Sequence, residues 1–190
     1  MEKSKRRKLG EGWEPGMLRI GTPSDEQLKA IGRIITNFAA LETMIKNCVW
    51  DLIGRDQEIG RTITAQRIQF DSLIDLLVSL HKQRVPNTSS GEKSSKLLKE
   101  LLPRLNLANN QRNTIAHSLW LTDGVQKEAI RTKTAAKKKT GLKDDFESKS
   151  ADDLNKIADF IEDVFFESGS FWTSLRFFPH RKNEDGSFAE

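Results

Sequence analysis

The chain has 190 residues, enough for one domain with tails or an insertion, and hydrophobic residues make up 36% of it. It contains no apolar run of the roughly 20 residues needed to cross a bilayer, and no apolar stretch follows its basic N-terminus as in a secretory signal. The single cysteine, Cys48, excludes an internal disulfide and suggests a buried thiol. We therefore expect a cytoplasmic protein with no membrane partner. The net charge of +4 is compatible with a polyanionic partner but does not require one.

The first elements are a predicted flexible basic arm over residues 1–23, rich in glycine and proline, and a long helix. Ser24 is the predicted N-cap of this helix, which ends near Gly54. Its predicted core stripe has steps of three and four: Leu28, Ile31, Ile35, Phe38, Leu41, Ile45, Val49 and Leu52.

Two further helices are predicted before the middle of the chain. The second spans about residues 62–83, and turn-forming residues predict a loop over 85–92. The third begins near Ser94. Pro103 must kink or split it, because proline lacks the amide proton and crowds the preceding turn.

The next segment, residues 121–149, has little apolar content, and we predict a short loop or β-hairpin insertion there. Lys137–Lys139 falls near its tip, where a solvated loop is the simplest interpretation and a phosphate-contacting finger the alternative. The last helix begins after Ser150, which forms a capping-box pattern with Asp153. Gly169 is predicted to end or kink it.

These elements predict an all-α fold, an up-and-down bundle of four or five helices over residues 24–175, followed by a polar tail over 176–190. One stretch interrupts the apolar pattern, "NNQRNTIAHSLW", residues 109–120. A helical Asn113 and His117 share a face, whereas Arg112 is rotated from His117 by about 140° and displaced by about 7.5 Å. A second copy of this helix across a two-fold axis would bring both side chains into one polar cleft.

Other chemistry has little support in the sequence. The chain has three histidines, no two of them within five residues of each other, so we expect neither a metal site nor a cofactor. His81 is expected at the polar end of the second helix, where a charged ring suits the helix dipole. Glu42 is a candidate accessory group, although a salt bridge within the bundle is the simpler expectation.

The stretch "RNTIAH" resembles the Arg-x4-His signature of the HEPN domain (higher eukaryote and prokaryote nucleotide-binding), and "FAALETMI", Phe38–Ile45, is similar to that family's first long helix. The resemblance covers about residues 24–175 and implies a helical bundle of four or five helices. Many members are metal-independent endoribonucleases, often toxins or defence proteins, that act as homodimers with a composite site. It therefore implies RNA as the substrate and leaves two alternatives for a further partner, an antitoxin protein or none.

The resemblance also implies roles for individual residues. His117 would transfer protons, Arg112 would clamp the scissile phosphate, and Asn113 would orient His117 or close the helix apposition. The 2′-hydroxyl of the RNA would be the nucleophile. A toxin branch of the family carries a regulatory tyrosine two residues after the histidine; here that residue is Leu119 and the chain has no tyrosine.

The same residues allow a non-catalytic interpretation. His117 would then be a hydrogen-bonded histidine at a helix interface, Arg112 an ion-pair or capping residue, and Asn113 a buried polar contact. The alternative function is a catalytically silent HEPN-like helical module that binds RNA, a nucleotide or a protein partner.

Overall fold

The computed structural model describes residues 19–20, 23–54, 57–65, 68–122, 129–137 and 141–175. Among these residues there are five helices: α1 (Asp25–Ile53), α2 (Gln57–Ala65), α3 (Phe70–Arg84), α4 (Ser89–Ala116) and α5 (Ala151–Leu175). Four strands accompany them: β1 (Arg19–Ile20), β2 (Leu119–Thr122), β3 (Ala129–Lys137) and β4 (Gly141–Ser148). The buried apolar side chains of the described residues all lie on α1, α3, α4 and α5, so the predicted helical fold class is confirmed.

The chain forms two compact units, Met1–Thr36 with Asn110–Asp159 and Asn37–Asn109 with Phe160–Glu190. In the first unit, Arg33 of α1 donates hydrogen bonds of 2.7 Å each to Asn155 and Asp159 of α5. These contacts hold the start of α5 against the start of α1.

The second unit contains most of the hydrophobic core. Phe38 of α1 and Phe70 of α3 pack with ring centroids 4.8 Å apart. Trp172 of α5 donates from Nε1 to the Asp51 carboxylate at 2.6 Å. Cys48 is fully buried, which confirms the predicted buried thiol, and burial raises its pKa.

The predicted insertion is a hairpin rather than a loop. β3 and β4 pair antiparallel, from Ile130 opposite Ser148 to Lys137 opposite Gly141. β2 pairs with β3 and β1 with β2, giving a four-stranded sheet in the order β1-β2-β3-β4. Two residues of the predicted arm, Arg19 and Ile20, thus form β1. Residues 1–18, residues 138–140 with most of the predicted lysine tip, and the tail from 176 lie outside the described residues.

The predicted core stripe is wrong in the N-terminal half of α1. Leu28 and Ile35 are 43% and 42% exposed, whereas Ala30 and Ile34 are buried. The stripe that faces the core includes Gln27, whose side-chain amide donates to the carbonyl of residue 149 at 2.8 Å and accepts from the amide of residue 24 at 2.8 Å. A hydropathy pattern treats glutamine as a surface residue and therefore favours the wrong stripe. It does not account for hydrogen bonds that allow a glutamine side chain to be buried.

The single helix predicted over residues 62–83 is also wrong, because α2 ends at Ala65 and α3 begins at Phe70. Small and polar groups hold α2 against α1. Thr64 accepts a hydrogen bond of 2.8 Å from Trp50 Nε1, and a Cβ on Gly60 would lie 2.8 Å from Trp50 Cδ1. Because α2 contacts α1 through a glycine and a threonine, the contact produces no periodic pattern of apolar residues, and the sequence shows no sign of a separate helix.

The loop predicted over residues 85–92 is confirmed only at 85–88, and neither Pro103 nor Gly169 ends a helix. α4 begins at Ser89, inside the predicted loop, because the Thr88 hydroxyl accepts from the Gly91 amide at 3.3 Å and caps the helix. α4 then continues through Pro103, which does not split it, and Gly169 lies within α5 rather than at its end. The capping box at the start of α5 is confirmed, since the Asp153 amide donates to the hydroxyl of residue 150 at 3.1 Å.

Candidate functional site

The candidate site lies at the C-terminal end of α4, in the first unit. Arg112 and Asn113 lie on the helix, and His117 is the first residue beyond it. The His117 amide still donates to the Asn113 carbonyl at 3.1 Å, so the backbone keeps its helical hydrogen bond up to the histidine. The predicted placement of Asn113 and His117 four residues apart in one helical register is therefore found.

Burial differs along the motif. Arg112, Asn113 and Thr114 are half-buried, Ile115 is 2% exposed, and His117 is exposed. Ile115 anchors the last helical turn in the core of the first unit, which fixes the backbone on which the polar side chains stand. An exposed imidazole can exchange protons with a bound ligand, and a half-buried guanidinium loses little freedom when it binds a phosphate.

A serine that the sequence reasoning missed completes this helix end. The Ser118 hydroxyl donates to the Thr114 carbonyl, and the Ser118 amide donates to the Ile115 carbonyl at 3.5 Å. These bonds satisfy carbonyls that a helix terminus otherwise leaves without partners. β2 begins at Leu119, so the turn that carries His117 is held between a capped helix and a strand. A serine just after the last helical residues was the available signal, because its hydroxyl can bond a backbone carbonyl four residues earlier.

The first residue of the polar run has a structural role in the second unit. Asn109 is 4% exposed, and its Nδ2 donates to Asp71 Oδ1 of α3 at 2.8 Å. Successive helical residues are rotated by about 100°, so a run of polar residues must enter more than one environment. Part of the interruption in the apolar pattern is therefore a partly buried hydrogen bond between α4 and α3, and part is the candidate site.

His81 differs from its prediction. It is 4% exposed, its Nε2 lies 3.1 Å from the Ser94 hydroxyl, and its ring packs against Phe171 with centroids 5.8 Å apart. Ser174 extends this polar chain by donating to the Ser94 hydroxyl at 3.2 Å. Burial lowers the pKa of His81, so the neutral ring is favoured and the predicted charged ring at the helix end is wrong.

Glu42 forms the predicted salt bridge, with its carboxylate 2.7 Å from Lys46 Nζ one turn later on α1. Within the described residues, no group of three or more His, Cys, Asp or Glu side chains is arranged to hold a metal ion. None of the described helices combines the length and the apolar content that crossing a membrane requires.

Comparisons of the chain with protein-family models, with curated proteins and with solved structures gave no match. Function must therefore be argued from the residues at the end of α4.

Proposed function

We propose that the protein is a metal-independent endoribonuclease of HEPN type that acts as a homodimer. The observation that carries the proposal is the exposed His117, whose backbone amide keeps the helical hydrogen bond to Asn113 and which follows the half-buried Arg112 by five residues. RNA cleavage by internal transesterification needs at least an accessible proton-transfer group and a cation that can reach the same phosphate.

The proposed reaction requires two proton transfers. A neutral His117 removes the proton from a ribose 2′-hydroxyl, whose oxygen attacks the adjacent phosphorus. The bond from phosphorus to the 5′-oxygen breaks, and that oxygen takes the proton back from His117, which the first transfer has left charged. The products are a 2′,3′-cyclic phosphate and a free 5′-hydroxyl. Arg112 holds the non-bridging oxygens through charge-assisted hydrogen bonds and stabilises the charge that develops there.

A second copy of the chain is part of the proposal because one helix separates the two groups. Five helical residues correspond to about 7.5 Å along the axis and a rotation of about 140°. Two motif helices related by a two-fold axis would place Arg112 of one chain near the partner's His117, and the reverse. Asn113 would then orient the imidazole or close the apposition of the helices.

The proposal is tested with purified protein and labelled single-stranded RNA in the presence of EDTA. We expect cleavage to 2′,3′-cyclic phosphate ends, lost in both Arg112→Ala and His117→Ala, while Arg84→Ala, which removes an exposed arginine on α3, retains activity. Unchanged melting curves would show that the inactive variants are folded. Cleavage by His117→Ala would refute the catalytic assignment.

Mixing the two inactive variants tests the composite site. A heterodimer of Arg112→Ala and His117→Ala subunits holds one site with both an arginine and a histidine. An equal mixture should therefore recover about a quarter of the wild-type activity, because half of the dimers are mixed and each has one intact site. No recovery, together with a monomer in sedimentation, would refute the dimeric site. An inactive protein that binds RNA, nucleotide or a protein would instead be a silent module.

The cellular role in the proposal is that of a toxin or defence protein in the cytoplasm, with an antitoxin protein as a partner. Its expression should arrest growth, and His117→Ala should relieve the arrest at an equal protein level. Arrest by both forms would contradict a role for the nuclease.

A further inference from the structure

The β3–β4 hairpin has an uneven charge distribution along its length. Residues opposite each other in an antiparallel pair lie on the same face, and alternate rows share that face. Trp120 of β2 lies opposite Arg131 and so belongs to one face. Moving away from β2, the rows on that face are Arg131↔Glu147, Lys133↔Asp145, Ala135↔Lys143 and Lys137↔Gly141.

The two rows nearest β2 each combine a basic and an acidic position, an arrangement that stabilises a hairpin and leaves no net charge. The two outer rows contain Lys143 and Lys137, with an alanine and a glycine opposite them. On this face, the register thus places two lysines and no acidic residue in the outer half of the hairpin, while Asp144 belongs to the other face. The last row lies six residue steps along β3 from the first, a distance of about 20 Å.

The hairpin is joined to the candidate site through β2. This strand begins at Leu119, two residues after His117, and pairs with β3 along its whole length. Both elements lie in the first compact unit. An RNA bound at His117 would therefore lie next to the sheet, and the outer half of its β3–β4 hairpin carries the two lysines.

We propose that the outer half of the hairpin, through Lys137 and Lys143, binds the phosphodiester backbone of single-stranded RNA on one side of the cleaved bond. The two positions are diagonal neighbours about 7–8 Å apart, a spacing suited to successive phosphates of an extended strand. Lysine binds phosphate as a point charge, so the surface adds affinity without reading sequence. The inference rests on the proposed function, because RNA is the ligand in both.

The test measures binding rather than cleavage, in the His117→Ala background, by fluorescence anisotropy over a range of salt concentrations. The probes are single-stranded RNAs of about 16 and about 4 nucleotides. The test variant is Lys137→Gln with Lys143→Gln. The matched control, Lys96→Gln with Lys99→Gln, removes two exposed lysines from α4 and gives the same net charge.

We expect the test variant to bind the longer RNA more weakly and the shorter RNA unchanged. Losing two phosphate contacts should reduce the slope of log K against log salt by about 1.4. Lowering the salt fourfold should then strengthen its binding about sevenfold less than that of the parent. The control should follow the parent, and circular dichroism should show both variants folded.

An equal loss in the control would overturn the inference, because net charge alone would explain the effect. Unchanged binding by the test variant, or a parent that prefers polyglutamate to RNA, would also overturn it. A wild-type protein that does not cleave RNA but binds it through Lys137 and Lys143 would refute the proposed function and leave this inference standing. If the wild-type protein cleaves RNA but its binding does not depend on Lys137 and Lys143, the proposed function would stand and this inference would be refuted.

Discussion

Replacement of Asn109 by alanine separates the structural part of the polar run from its proposed catalytic part. The Asn109 amide donates to the Asp71 carboxylate at 2.8 Å and is 4% exposed, whereas Asp71 itself is exposed. A hydrogen bond to a charged group contributes about 1.5–3 kcal/mol. Water can rehydrate the exposed carboxylate after the substitution, which argues for the lower end. We therefore expect Asn109→Ala to reduce the free energy of unfolding by about 1–2 kcal/mol.

The assay is urea denaturation followed by circular dichroism, with Asn110→Ala as the matched control. Asn110 is the next residue of α4 and is exposed, so the same substitution there should change the unfolding free energy by less than about 0.5 kcal/mol. The RNA-cleaving activity of folded Asn109→Ala should equal that of the parent. Equal stability of the two variants would refute the reasoning, as would loss of activity in a fully folded Asn109→Ala.

Three further predictions concern the core. Burial lowers the pKa of His81 from its ordinary 6.5, so the unfolded chain gains a proton first; stability should fall as pH drops below about 6.5, and melting curves should show a smaller fall in His81→Gln. Gly60→Ala should cost about 1–3 kcal/mol in urea unfolding because its Cβ would meet Trp50, whereas Gly32→Ala, with nothing within 4 Å, should stabilise by up to about 1 kcal/mol. The buried Cys48 thiol, its pKa raised, should resist alkylation until the protein unfolds; rapid labelling at neutral pH would contradict this.

The sequence predicted helix ends correctly where a local residue pattern is compatible with only one backbone conformation. Ser24 and Gly54 bound α1 because a capping serine starts a helix, and a glycine at φ 112° occupies a backbone conformation that other residues avoid. The same holds for the capping box before α5. The sequence also predicted correctly that Arg112 and Asn113 lie on a helix.

The sequence was insufficient where tertiary contacts decided between equivalent patterns. Two stripes of α1 have the same helical period, and the one with Gln27 faces the core because hydrogen bonds satisfy that amide. His81 looked like a charged residue at a helix end, yet Ser94 and Phe171 enclose it. Neither partner is near His81 in the chain, so no local pattern could indicate them.

The polar run shows why residue types alone did not distinguish structural residues from candidate functional ones. Between Asn109 and His117 the side chains pass from buried to half-buried to exposed, while Ile115 anchors the turn. The hydrogen bonds of Ser118 fix the backbone at His117, but the imidazole itself extends from this fixed point as an exposed group. If the proposed function holds, the orientation of the imidazole for catalysis would come from a bound ligand or from a second motif helix. In the proposed enzyme, RNA binding and dimer formation would thus supply the order that one chain does not, and catalytic hydrogen bonds would tighten only in the complex.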